Sequence, residues 1–128
     1  MYRLAGFAWL TAIVIGCSFW WGVVLLTGRG QVDLGGNVAA YWAASQADAR
    51  PIRGVCASAC TMKLHKARCV DPDARLGFHA ATTEIGTRIM LAAYAPPLRA
   101  YVRAHCLDGS ICWLTGSQLA AFGYRICP

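Results

Sequence analysis

Apolar positions are distributed very unevenly along this chain. From Leu4 to Leu26 there are 23 consecutive residues without a charge, enough for a helix to cross a hydrocarbon core of roughly 30 Å. This predicts a transmembrane anchor within residues 1–28, with residues 29–128 as one domain behind it. Past Arg29 the pattern breaks into short elements. "LGGNVAAYWAASQADAR" opens on a glycine pair free to take positive backbone angles, and Val38, Tyr41, Trp42 and Ser45 then recur at helical spacing. It reads as a turn feeding a helix that Arg50-Pro51 ends. "PIRGVC" is a short strand, and "ACTMKLHKA" a helix of about two turns. "RCV" and "ARLGFHA" flank the turn signal Asp71-Pro72-Asp73 and predict two more strands. Gly86 to Tyr94 reads helical until Pro96-Pro97, after which Leu98, Tyr101, Val102 and His105 restart an apolar face. In "TGSQLAAFG", Thr115 and Gln118 have capping-box spacing, and Gly123 stands where a left-handed residue ends a helix. The fold class is mixed α/β.

The flanks of the apolar run do not fix its orientation, because Arg3 lies on one side and Arg29 on the other. A competing reading is a lipoprotein signal cleaved at Cys17 of "VIGC", but the run continues past it as "SFWWGVVLL" where a lipoprotein turns polar. Either way the domain is delivered to a membrane. The net charge of +6 suits a domain near an anionic membrane surface. The basic residues are scattered, so a solvated surface is the plainer account, and no nucleic-acid module is recognisable.

Six cysteines follow the anchor: Cys56, Cys60, Cys69, Cys106, Cys112 and Cys127. Such a count in a short domain behind an export segment points to an oxidising compartment and to disulfides. Sequence alone does not choose the pairing. Cys112 and Cys127 bracket one short helical segment and could clamp it. Zinc on Cys56, Cys60 and Cys69 with His65 or His79 is the rival, weakened by the lack of a second paired knuckle. No metal and no cofactor is expected.

The candidate chemistry sits in "GVCASAC" and "GFHAA". A serine after a strand of small residues, at the start of a helix, lies beside unpaired backbone N–H groups that can stabilise an oxyanion. Ala59 would supply one donor and the Gly35-Gly36 turn a second. His79, after the strand "RLGF", would be the general base. The bland readings are an N-cap for Ser58, a hydrogen-bonded structural role for His79 and an ordinary turn for the glycines. The flanking cysteines are then structural, joining strand to helix by disulfides or, for Cys60, packing as a small buried residue.

"LGGNVAAYWAA", "GVCASACTMKL", "RCVDPDARLGFHAA" and "WLTGSQLAAFGYRI" together resemble the Clp protease proteolytic subunit and the wider Clp/crotonase superfamily. The resemblance covers roughly residues 33–126. It is closer still to small bacterial periplasmic proteins with C-x-S-A-C and GFH motifs. It implies a truncated Clp/crotonase-like α/β domain, with Ser58 as nucleophile, His79 as base, and Gly36 and Ala59 as the oxyanion hole. The departures are specific. Leu34 stands for the proline of the family's glycine turn, and the helix between serine and histidine is about one turn shorter. The acid position falls on Ile111, leaving Asp108, three residues earlier, as an acid only if the loop is rearranged. Only residues 27–33 lie between anchor and turn, so the first βαβ unit is absent and the sheet has an exposed edge that needs another subunit or a partner. The expectation is a single-pass protein of the bacterial inner membrane with a periplasmic serine hydrolase that acts on a peptide or other acyl bond through a Ser-His dyad. The alternative is an inactive scaffold that binds or assembles with a partner.

Overall fold

The computed structural model describes residues 32–128. The predicted anchor and the signal reading at Cys17 lie outside the described residues. Among the described residues no helix is long and apolar enough to cross a membrane. The described residues build four strands, β1 Val32–Asp33, β2 Val55–Ala57, β3 Arg75–Phe78 and β4 Cys112–Thr115. Between and after them come three α-helices, α1 Val38–Ser45, α2 Glu84–Ala92 and α3 Pro96–His105, and two 3-10 helices, Ser58–His65 and Ser117–Phe122.

The strands form one sheet in the order β1-β2-β3-β4. β1, β2 and β3 run parallel, with Asp33 beside Cys56 and Ala57 beside Gly77. β4 is antiparallel to β3, pairing Cys112 with Phe78 and Trp113 with Gly77. Alternation along β3 follows the pleat: Leu76 and Phe78 are fully buried in the core, while Gly77 lies under the Trp113 ring and the Arg75 guanidinium lies 5.3 Å from that ring's centre. Below the sheet, Met62 and Leu64 of the first 3-10 helix pack with Met90, Leu98, Val102 and Leu119, each worth about 1.5–3 kcal/mol on burial.

Several local expectations are met for the reasons given. Asn37 caps α1, its side chain accepting from the Ala40 N–H at 3.1 Å, and α1 carries Val38, Tyr41, Trp42 and Ser45 inward. The helix stops at Ser45, five residues before Arg50-Pro51. Pro96 and Pro97 are the first residues of α3, where the missing N–H costs nothing. Thr115 and Gln118 form the reciprocal capping box, Gln118 Oε1 accepting from the Thr115 N–H at 2.8 Å and Thr115 Oγ1 from the Gln118 N–H at 3.3 Å. Gly123 ends that helix at φ 87°.

Other expectations are corrected. "ACTMKLHKA" forms a 3-10 helix that starts one residue earlier, at Ser58. "RCV" is no strand: Val70 makes isolated bridges to Ile52 and Ile126. β4 returns antiparallel beside β3, so the sheet is mixed. The cysteines pair as Cys56–Cys60, Cys69–Cys127 and Cys106–Cys112, so the Cys112–Cys127 clamp is overturned. The bridge between Val70 and Ile126 carries Cys127 to Cys69, and Cys112, opening β4, reaches back to Cys106 at the end of α3. The zinc alternative also loses its ligands, since Cys56, Cys60 and Cys69 all lie in disulfides.

Candidate active site at the carboxyl ends of three parallel strands

Each piece of the candidate chemistry follows the end of a parallel strand. Gly35 and Gly36 come after β1, Ser58 is the first residue after β2, and His79 the first after β3. Ligand sites in open α/β sheets collect at such ends. The register places Ser58 and His79 one strand spacing, about 4.8 Å, and one residue apart along the sheet.

Ser58 has φ 58°, and it is the only non-glycine residue of positive φ among the described residues. That conformation costs an ordinary side chain about 1–2 kcal/mol and persists only where the surroundings over-determine it. Three contacts do so here. The Cys56–Cys60 disulfide, with Cα atoms 5.4 Å apart, spans the residue on both sides. Thr61 Oγ1 donates to the Ser58 carbonyl at 2.6 Å and is itself bonded to the hydroxyl of Tyr94, whose phenol burial holds well above its usual range. Gly35, at φ 82°, packs so tightly that a β-carbon there would stand 2.7 Å from the Ala59 nitrogen and 2.8 Å from the Ser58 β-carbon. The N-cap reading of Ser58 is overturned, since Ala57 occupies the cap and no side chain caps that helix.

The close approach to Ser58 and Ala59 is made by Gly35. Gly36 is exposed, and its N–H has no acceptor among the described residues. Ala59 is fully buried at the start of the 3-10 helix.

His79 is half-buried, and its Nδ1 lies 2.5 Å from the Ala80 carbonyl oxygen. A carbonyl only accepts, so this contact favours, for the neutral ring, the tautomer with its hydrogen on Nδ1 and Nε2 as the acceptor. Ile111 is next along the pairing that sets Phe78 beside Cys112; it is exposed and apolar and offers His79 no hydrogen bond. Asp108 makes no hydrogen bond to His79. It is exposed and accepts from the N–H and the hydroxyl of Ser110 at 3.1 and 2.7 Å, bonds that lower its pKa.

Asp33 organises the glycine turn, a role the sequence reading missed. One carboxylate oxygen accepts from the Gly35 N–H at 3.0 Å and from the Tyr41 hydroxyl at 2.6 Å. The other meets Lys63 Nζ at 3.0 Å, joining β1, α1 and the 3-10 helix of Ser58. Burial works against ionisation of Asp33, but Tyr41, Gly35 and Lys63 together hold its pKa below 3.8. The bond to Asp33 pushes the Tyr41 phenol up to about 12. The available signal was an aspartate two residues before a glycine, the spacing of an Asx turn. A cavity of about 380 Å³ lies on the β1 side of this network. Asp33, Leu34, Arg53, Lys63 and the Cys56–Cys60 disulfide are part of its lining.

Compared with protein-family models, curated proteins and solved structures, the chain has no match in any of the three.

Proposed function

We propose that the domain is a serine hydrolase of Clp/crotonase type, held in the periplasm by the apolar amino-terminal segment and acting on a peptide or other acyl bond. His79 Nε2 takes the Ser58 proton as Oγ attacks the carbonyl, then returns it to the leaving group. The Ala59 and Gly36 N–H groups face the developing oxyanion. The Ala80 carbonyl supports the required histidine tautomer in place of an acid. It carries no charge to stabilise the imidazolium, so turnover is expected to be slow. The observation that carries this reading is Ser58 itself, a non-glycine residue kept left-handed at a strand end against a glycine turn.

The test is labelling of the oxidised full chain, in detergent, with a fluorophosphonate. Wild type should label, Ser58→Ala should not, and His79→Ala should label far more slowly. A folded wild-type chain that never labels sinks the proposal.

A second reading, an inactive scaffold, draws on Ile111 beside His79 and on the sheet edge. Among the described residues β1 is the outermost strand and spans two residues, and Val32 and Leu34 are 61% and 67% exposed. This reading predicts no labelling in any variant and association with a second copy or another protein along β1, weakened by charged residues at Val32 and Leu34.

A further inference from the structure

We propose that the Cys56–Cys60 disulfide is the positioning element of the Ser58 site and makes it competent only when oxidised; this rests on the serine-hydrolase reading above. The sulfurs close a ring of five residues with Ser58 at its centre and the oxyanion donor Ala59 beside it. The helix that begins at Ser58 has little to hold its first turn otherwise. It is of the 3-10 kind, has no side-chain cap and has no acidic residue in that turn. The covalent tether from β2 to Cys60 replaces the missing cap. Of the three contacts that keep Ser58 left-handed, it alone depends on the redox surroundings.

Neither of the other disulfides spans Ser58, though Cys112 pairs with Phe78, the residue before His79. Cys69–Cys127 ties the Val70–Ile126 bridge, and Cys106–Cys112 joins α3 to β4. Cys56 and Cys60 are each 2% exposed and both line the 380 Å³ cavity, the side from which a small dithiol would approach them. One thiolate of the dithiol attacks a sulfur of the pair, forms a mixed disulfide and releases the other sulfur as a thiolate. The second thiol of the dithiol then displaces the protein sulfur. Two electrons and two protons pass to the protein, leaving two cysteine thiols and an oxidised cyclic dithiol. Freed of the ring, Ser58 relaxes to negative φ and its hydroxyl and the Ala59 N–H part company.

The experiment compares fluorophosphonate labelling of oxidised full-length wild type, Cys56→Ser/Cys60→Ser and the control Cys69→Ser/Cys127→Ser, whose disulfide lies by the Val70 bridges ahead of β2 and β3, with near-ultraviolet circular dichroism to follow packing. The site pair is expected to label about a hundredfold more slowly with its spectrum retained, and the control at the wild-type rate. A parallel measurement needs no variant. Wild type is titrated with a dithiol and trapped with iodoacetamide, and labelling is read on species alkylated at Cys56 and Cys60 alone; it should be lost there and return on reoxidation of untrapped protein. Equal labelling of folded oxidised and reduced forms overturns this inference and leaves the hydrolase reading standing. Loss of the whole near-ultraviolet spectrum together with labelling also overturns it, making the pair a general staple. Absence of labelling in oxidised wild type ends both.

Discussion

Ser58 holds a backbone angle that glycine adopts freely, so two substitutions separate what its hydroxyl does from what its backbone endures. Ser58→Gly removes both hydroxyl and strain, while Ser58→Ala removes only the hydroxyl. We expect Ser58→Gly to be about 0.5–1 kcal/mol more stable than Ser58→Ala in urea unfolding, the strain of positive φ less the entropy that glycine adds to the unfolded chain. Equal stabilities would mean that the strain does not exceed that entropy. At this scale the sequence was informative about identity and silent about contact. "GVCASAC" and "GFHAA" stood out as chemistry, and the structure sets them after adjacent parallel strands. That Gly35 presses on Ser58, or that Asp33 holds Gly35, Tyr41 and Lys63 together, could not be read locally, because those contacts exist only once β1 lies beside β2. The tautomer-setting oxygen was harder still. It belongs to the main chain of Ala80, and no side-chain pattern announces it.

Elements with their own punctuation were legible, namely the Thr115–Gln118 capping box, Pro96-Pro97 opening α3 and Gly123 closing the last 3-10 helix. β1 and β4 were not. Val32–Asp33 and "CWLT" are too short for alternation to speak, and they exist as strands because β2 and β3 offer them partners. The same holds for the turn around Gly116. A β-carbon there would stand 1.7 Å from the Asp71 carbonyl oxygen, and the Gly116 N–H bonds to the Ala74 carbonyl at 2.7 Å. Gly116→Ala must push the turn at Asp71-Pro72 away from the start of the last 3-10 helix. It should cost about 2–4 kcal/mol, on the scale of severe overpacking, and a melting temperature unchanged from wild type would contradict the close approach. The disulfides follow loop length. Cys69–Cys127 spans a sequence separation of 58 and Cys106–Cys112 one of 6, so chain entropy predicts losses of about 4 and about 2 kcal/mol on removal. Denaturant midpoints of Cys69→Ala/Cys127→Ala and Cys106→Ala/Cys112→Ala should rank in that order.

For the molecule as a whole, the Asp33 network sets a pH window. The pKa of Asp33 is held below its unfolded value of 3.8, so its contribution is complete above that pH and is lost as pH falls through the lower, folded value. Tyr41 is raised from 10.0 to about 12, so its contribution is complete below pH 10 and is lost as pH climbs toward 12. Thermal melts should give a plateau between these limits, with the alkaline decline smaller in Tyr41→Phe; an identical decline in that variant would assign it to other groups. The mixed α/β class was legible from the pattern of short elements, whereas the pairing of six cysteines was not, because it depends on how distant segments meet. That connectivity bears on how the protein matures. Within residues 32–128, an oxidant that joined each cysteine to the next one to emerge would make Cys56–Cys60 correctly, then Cys69–Cys106 and Cys112–Cys127, neither of them native. Cys69 has to stay unpaired, or be released from a wrong partner, until the last cysteine arrives, while Cys106 and Cys112 close inside its span. Refolding of the reduced chain should therefore yield native protein in a glutathione shuffling buffer but scrambled isomers under a simple oxidant.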